Sequence, residues 1–351
     1  MEKSPEKTRI KDIAILAGVS EGTVDRVLHN RGNVSPKSRK KVEEALAQID
    51  YKPNIYASAL AQKKRTHLIC IIPSFNEDEY WEYVSKGIRK AHDEMSMLNV
   101  YIHILSFDQY DRESFKEALA KSLKGNPDGI LFPPVFTQES LDFIEQIDRL
   151  EIPFVFLDSM IEGTNAISYF GQDSFRSGQI AAKLLLSIID KDSTVAMFHT
   201  YRVGDLGTNQ TTVRQNGFLN YLSENRATNK AYPIGLNATE HAQNIVLIEK
   251  FLLEHPNTKG VVVFNSLAHV ATSYFNSINR PDIKIIGYDI LQRNRESLLR
   301  DEISFLIGQR PEEQGYLGIK VLSEKLLFNR KTDKINFMPI DIVVKENVEY
   351  I

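Results

Sequence analysis

Apolar positions in the first fifty residues recur at helical spacing. Ile10, Ile13 and Ala17 fall on one face. Gly18 follows, where a left-handed residue would end the helix. Ser20 is placed to cap a second helix, Glu21 to about His29, whose buried stripe is Val24, Val27 and Leu28. Ser35 followed by Pro36 marks a third start, cap and first helical residue. Val42, Ala45, Leu46 and Ile49 then repeat at i, i+3, i+4, i+7. Helix, short Gly-containing turn, helix is the spacing of a helix-turn-helix. Three such helices can share one small core.

From residue 66 the pattern changes to short apolar runs alternating with amphipathic stretches. The runs Leu68–Pro73, Val100–Ser106, Gly129–Pro133, Phe154–Leu157, Thr194–Phe198, Gly260–Asn265, Lys284–Tyr288 and Ile303–Ile307 predict strands. Glu79–Met97, Arg112–Leu123, Ser174–Ile189, Gln210–Ser223, Thr239–Glu254 and Glu312–Phe328 predict helices. This alternation predicts parallel sheets covered by helices on both faces. About 285 residues exceed what one such sheet usually holds, so two lobes are expected. Ligands of such sheets bind beyond the carboxyl ends of the strands.

Composition alters this picture in one respect. The 351 residues carry a formal net charge of −3, with ordinary hydrophobic and charged fractions. Yet residues 1–65 hold 14 Lys or Arg against 8 Asp or Glu, and the remainder holds 29 against 38. A basic head on an acidic body suggests a polyanion-binding module, although a solvated charged face gives the same count. The single cysteine, Cys70, excludes an internal disulfide and fits a reducing compartment. Residues 1–9, MEKSPEKTR, lack the apolar run of a signal peptide, and no stretch suggests a membrane span. A cytoplasmic protein is therefore expected.

Residues 8–61 closely resemble the headpiece of the lactose-repressor (LacI/GalR) family of bacterial transcription regulators. The matching marks are Asp12-Ile13-Ala14, Ala17-Gly18-Val19-Ser20, Thr23-Val24, Arg26-Val27, Val34-Ser35, Tyr51, Pro53-Asn54, Ala57 and Leu60. The resemblance implies that Glu21–His29 is a recognition helix lying in the major groove of operator DNA. Glu21, Gly22 and Arg26 would face base edges, and Arg26 could pair with guanine O6 and N7. Thr23, Arg31, Ser35, Lys37 and Arg39 would hold phosphates. Two acids on the reading helix depart from the usual pattern: Glu21 repels phosphates, and Asp25 replaces a common serine. The resemblance also implies a hinge helix over residues 54–61, beginning at Asn54. There, Ala57 permits close approach and Leu60 wedges into the minor groove. So short a helix is unstable alone, which lets DNA and dimer contacts control it.

The body resembles the type I periplasmic sugar-binding fold that forms the sensor of the same family. The matching stretches are Tyr80-Trp81 before Gly87, Pro127-Asp128-Gly129-Ile130, Ile152-Pro153 to Asp158, Gly171 to Lys183, Arg214 before Gly217-Phe218, Ile286-Gly287-Tyr288-Asp289 and Gln309-Arg310-Pro311. Carboxylates, amides and arginine suit the hydroxyl rim of a sugar or polyol, and aromatic plates suit its C–H faces. The expected effector-binding residues are Tyr80, Trp81, Asp158, Ser159, Asp173, Arg214, Asn265, Asp289 and Gln309, with Asp173 alternatively holding the lobes together. Two departures stand out: Ser159 replaces an arginine of some pentose binders, and Asn265-Ser266-Leu267-Ala268 lacks the usual aspartate.

The expected fold class is therefore α/β. A three-helix helix-turn-helix headpiece (1–53) and a hinge helix with linker (54–65) precede a two-lobed sensor of periplasmic-binding-protein type (66–351). Lobe crossings are expected near residues 165, 290 and 325. That gives an N-lobe of about 66–165 and 291–325, and a C-lobe of about 166–290 and 326–351. The expected function is a transcriptional regulator, a repressor in the family's manner, whose homodimer binds operator DNA under control of a sugar, polyol or sugar-acid effector. No cofactor, metal site or enzymatic activity is expected. No GxGxxG, P-loop or HExxH motif occurs, and the 8 histidines lack metal-ligand spacing. Asp158 and Asp289 could form a glycosidase pair, but a hydroxyl-binding pocket needs fewer assumptions. The alternatives are a regulator with a vestigial pocket and a solute-binding transport component. Replacing Leu60 by alanine should reduce operator bending and specific affinity while sparing nonspecific binding. Binding assays on operator and random duplexes check this, and equal specific affinity would remove the wedge role.

Overall fold

The computed structural model describes residues 10–28, 32, 34–48, 65–201, 209–237 and 241–351. It divides into two units, residues 1–62 and 63–351.

The first unit contains α1 (Ile10–Ala17), α2 (Glu21–Leu28) and α3 (Pro36–Gln48). Gly18 closes α1 with φ +61°. Its N–H bonds the Ile15 carbonyl, and the Val19 N–H bonds that of Ala14. This paired closure requires the left-handed conformation that glycine adopts freely. Ser20 Oγ accepts the Thr23 N–H at 3.3 Å, and Ser35 Oγ accepts that of Ser38 at 3.2 Å. Both predicted caps therefore start their helices. Ile13, Ala14, Ala17, Val24, Val27, Val42 and Ala45 form the shared core.

The second unit holds two six-stranded sheets. In the N-lobe, β1 (Thr66–Pro73), β2 (Val100–Phe107), β3 (Gly129–Phe132), β4 (Phe154–Leu157) and β5 (Ser168–Gln172) lie in the order 2-1-3-4-5, extended by β11 (Ile335–Met338). In the C-lobe, β6 (Thr194–Tyr201), β7 (Lys230–Asn237), β8 (Thr258–Val263), β9 (Lys284–Tyr288) and β10 (Phe305–Gly308) repeat that order, extended by β12 (Asp341–Val343). All pairings are parallel except β10 with β12. This is a doubly wound order, with the strand sequence reversing beside β1 and beside β6. Central strands such as β1, THLICIIP, are buried on both faces and so read as continuous apolar runs.

The lobe crossings fall later than expected. β5 pairs with β4, so the N-lobe continues through Gln172 instead of ending near residue 165. β10 pairs with β9, so the C-lobe keeps the chain through Gly308 instead of releasing it near 290. β11 then returns to β5, and β12 to β10, placing the last crossing at residues 339–340 instead of 325. The reason lies in sheet growth: after β3 and after β8 each βα unit adds its strand beside the preceding one, so β5 and β10 are laid down before the chain departs.

The helices are α4 (Tyr80–Ser96), α5 (Arg112–Leu123), α6 (Thr137–Arg149), α7 (Ser174–Leu186), α8 (Asn209–Glu224), α9 (His241–Glu254), α10 (Ala268–Ser277), α11 (Gln292–Leu299) and α12 (Pro311–Phe328). In each lobe one helix pair meets backbone to backbone. A Cβ on Gly178 of α7 would lie 1.9 Å from the Arg214 carbonyl oxygen of α8, and one on Gly217 of α8 would lie 2.0 Å from that of Phe175. Gly87 of α4 and Gly315 of α12 stand in the same reciprocal relation, against the carbonyls of Glu312 and Val84. Among the described residues, no helix is long and apolar enough to cross a membrane. Gly178→Ala should force α7 and α8 apart and cost about 1–3 kcal/mol, as overpacking does. Chemical denaturation measures this, and an unchanged midpoint would contradict the close contact.

Candidate functional site

The cleft between the lobes is lined from the carboxyl ends of both sheets. Asp158 follows β4, and Asp289 follows β9 at the matching place in the other lobe. Both hold left-handed backbones, with φ of 62° and 71°. Aspartate tolerates that region better than most residues, and such strain persists only where surroundings enforce it. The enforcing contacts correspond: the Asp158 N–H bonds the Phe170 carbonyl, and the Asp289 N–H bonds that of Ile307, each at 3.0 Å. The Tyr169 hydroxyl lies 3.0 Å from the Asp158 carbonyl oxygen. It reaches there because Gly171 has no Cβ, which would sit 2.1 Å from that hydroxyl.

A polar chain connects the two aspartates. Gln210 Nε2 donates to Asp158 Oδ1 at 3.2 Å and lies the same distance from Gln309 Oε1. Arg214 Nη2 also donates to Gln309 Oε1, at 2.8 Å, and Gln309 Nε2 donates to Asp289 Oδ1 at 2.7 Å. Arg214 is 1% exposed. Its cost of burial is offset by Nη1 donating to the Phe264 carbonyl at 2.9 Å and by the Tyr288 ring, 4.1 Å from the guanidinium. Burial lifts the Asp289 carboxyl to about 6, against the opposing pull of Arg214 and the Gln309 hydrogen bond.

Tyr80 and Trp81 open α4 and line the same cleft, edge to face with centroids 5.1 Å apart. The Tyr80 hydroxyl donates to Gln314 Oε1 at 3.3 Å, and Gln314 Nε2 donates to the Gln309 carbonyl at 2.7 Å. Burial foremost, then the Asp158 and Asp289 carboxylates, hold the Tyr80 phenol well above its usual range. Ser159, Asn265, Arg214 and Gln309 complete the expected set in the cleft. Asp173 does not line it: its carboxylate caps α7, accepting the Arg176 N–H at 2.9 Å.

Residues without a sequence signature also matter. Asp78 lies in the N-lobe loop after β1, yet its carboxylate accepts the Gln292 N–H at 2.6 Å and the Arg293 N–H at 3.0 Å. It thereby caps α11 across the cleft, placing negative charge on the positive end of a helix of the other lobe. Asn294 is fully buried. It ties the Ser266, Tyr288 and Asp289 carbonyls together through Nδ2, and its Oδ1 accepts the His269 N–H. Gln210 was detectable only as the residue one turn before Arg214 on α8. Among the described residues, no group of three His, Cys, Asp or Glu could hold a metal.

In the headpiece, Glu21, Gly22 and Arg26 lie on the exposed side of α2, opposite Val24 and Val27. Ser35 and Lys37 are exposed at the start of α3, and Arg39 is half-buried there. The Thr23 hydroxyl lies 2.9 Å from that of Ser20. Arg31, Asn54, Ala57 and Leu60 lie outside the described residues.

A helix-turn-helix unit joined to a two-lobed, cleft-forming α/β sensor defines a ligand-responsive DNA-binding regulator. Residues 9–54 match the model for bacterial regulatory proteins of the lacI family, and residues 69–330 match that for a periplasmic binding protein domain. A solved structure of a putative LacI transcriptional regulator from Bacteroides fragilis is 34% identical with a TM-score of 0.77, covering 82% of this chain and all of that one. The ribose operon repressor of Lactococcus lactis is 26% identical over 82% of this chain and 83% of its own. Catabolite control protein A of Priestia megaterium is 26% identical over 92% of this chain and 93% of its own. The chain belongs to the lacI family of bacterial regulatory proteins and is a DNA-binding transcriptional regulator.

A ligand hydroxyl donating to Asp289 needs the carboxylate form. Protonation would compete with such a bond, so a ligand held by Asp289 should bind more weakly as pH drops through about 6. Between pH 7 and pH 5 the expected loss is about tenfold. Titration of the cleft through the fluorescence of Trp81, the single tryptophan of the chain, measures it. A flat profile would contradict the role of Asp289.

Proposed function

We propose that this regulator senses a sugar or polyol bound between its lobes, and that binding sets its affinity for operator DNA. The observation that carries the reading is the hydrogen-bonded chain Asp158–Gln210–Gln309–Asp289, with Arg214 donating to Gln309 and with Tyr80 and Trp81 beside it. Carboxylates accept from hydroxyls, Arg214 and the amides donate to ring and hydroxyl oxygens, and the aromatic rings cover C–H faces. The carboxylates act here as acceptors and not as a catalytic pair. Resemblance to the ribose operon repressor supports a small polyhydroxylated effector.

Regulation follows from the two-lobed build. An effector that contacts both aspartates favours the closed cleft by its difference in affinity between open and closed states. Asp78 works in the same direction, because its cap on α11 forms only when the lobes approach. In a homodimer, closure alters the spacing of the two headpieces and the order of the hinge segments around Ala57 and Leu60. On DNA, Glu21, Gly22 and Arg26 meet base edges. Thr23, Arg31, Ser35, Lys37, Arg39 and Asn54 hold the backbone. The working compartment is the cytoplasm, where operator DNA and the effector meet.

Two substitutions test the scheme. Asp289→Ala should abolish the effector response without loss of DNA binding. Asp78→Ala removes the cap that crosses the cleft and should weaken effector affinity by about 1 kcal/mol, the worth of a lost helix cap. Operator binding with and without a panel of sugars, sugar acids and polyols is the readout. A response that survives Asp289→Ala removes that residue from the pocket. Binding to operator without any effector response across the panel indicates a vestigial sensor.

A further inference from the structure

The cleft that holds the two aspartates is small, with about 180 Å³ of open space. Ordinary small-molecule sites span roughly 300–1,000 Å³. A second chamber of about 610 Å³ adjoins it. The two share the wall residues Glu79, Gln109, Tyr110, Thr200, Asn265 and Leu267, so they are immediate neighbours.

Their chemistry differs. The small chamber concentrates hydrogen-bonding groups. The large one is floored by Phe198, Ile248, Val263 and Ala271, side chains that belong to the C-lobe core. At its mouth, Leu267, Val270 and Ile245 expose 36%, 42% and 44% of their surface. Much of its polar wall is already engaged with itself. Asn244 both donates to and accepts from the backbone of Asn237, and Asn265 Nδ2 donates to Thr200 Oγ1. On the same wall, the buried His199 Nδ1 and Tyr274 hydroxyl have no hydrogen-bond partner. Burial keeps the His199 imidazole below its usual range and hence neutral. Among the described residues that line the chamber there is no lysine or arginine, whereas Glu79 and Asp108 are among them, so an anionic group such as a phosphate is disfavoured beside those carboxylates.

We propose that the effector is a neutral glycoside: its polyhydroxylated ring occupies the small chamber, and its substituent, with an apolar face of ring size, occupies the large one. This deepens the sugar-sensing reading and rests on it. Asp108 and Tyr110 come from the N-lobe, whereas Phe198, Ile248, Val263 and Ala271 come from the C-lobe. The substituent therefore touches both lobes and adds to the closing bias that the sugar ring supplies.

The test is calorimetric titration of the full chain with methyl and phenyl glycosides of glucose, galactose, xylose and arabinose, and with cellobiose, maltose, lactose and glucose 6-phosphate. The expected result is that an extended ligand binds at least tenfold more tightly than the methyl glycoside of the same sugar. A gain for phenyl glycosides alone identifies an aromatic substituent, and a gain for disaccharides alone identifies a second sugar ring. Ala271→Phe fills the chamber. It should abolish that gain while changing methyl glycoside affinity less than about twofold. Should that variant misfold by circular dichroism, Val270→Glu at the exposed mouth should have the same selective effect. Equal affinity for methyl and extended ligands overturns the proposal but leaves sugar sensing intact. So does equal weakening of both by Ala271→Phe or by Val270→Glu, or tighter binding of glucose 6-phosphate than of every neutral ligand. Binding of none of these compounds overturns this proposal, and binding of none of the free sugars, sugar acids and polyols either overturns the sugar-sensing reading with it.

Discussion

Everything at the cleft depends on keeping one guanidinium out of water. Arg214 is buried at the meeting point of the lobes, and an unpaired cation there would cost several kcal/mol. Its partners are a backbone carbonyl, an aromatic face and the amide of Gln309, and that amide passes the interaction on to Asp289. The amides matter because each can accept and donate at once. Gln309 accepts from Arg214 and donates to Asp289, so the cation and the anion are matched without direct contact. A direct ion pair would occupy both groups. Separation by an amide leaves polar surface on each for a ligand.

The position of Arg214 is set in turn by its own backbone. Gly178 admits the Arg214 carbonyl to within van der Waals contact, which draws α8 onto α7 and directs the side chain to the cleft. The same device, Gly87 with Gly315, draws α12 onto α4 and sets Tyr80 and Trp81 at the opposite wall. Both lobes thus use the same strand order and the same kind of helix contact. They also place an aspartate in left-handed conformation after the fourth strand. The cleft is a repeated motif facing its copy.

Much of this was legible in the chain. Apolar runs marked most central strands because strands buried on both faces cannot hide. Asp158 and Asp289 were readable as the residues just beyond two of them. The predicted caps at Ser20 and Ser35 were readable because a cap is a local device. What escaped was set by partners distant in sequence. β7 carries Pro233 and Gly235, which an edge strand tolerates but which obscure its pattern. β5, SYFGQ, is too short to show a period. The lobe crossings depend on which strand each new strand pairs with, and no local pattern encodes that. Gln210 and Asn294 are amides, whose residue type carries no hint of whether it will be buried in a network. Asp173 was expected in the cleft only through the family resemblance of the stretch Gly171 to Lys183, but it caps the next helix.

The crossings themselves carry one more consequence. Gln172 Nε2 donates to the Gly308 carbonyl at 2.9 Å, linking the first crossing to the second. Arg310 grips Asp341 with two hydrogen bonds of 2.8 and 3.0 Å, linking the second to the third. The third is only Pro339 and Ile340, a span of roughly 7 Å at full stretch with one dihedral fixed by the proline ring. Three strands of chain laced in this way behave as one mechanical joint. Such lacing resists sliding and separation of the lobes and opposes rotation about the joint least. On the proposed scheme, an effector then has chiefly one angle between the lobes to control.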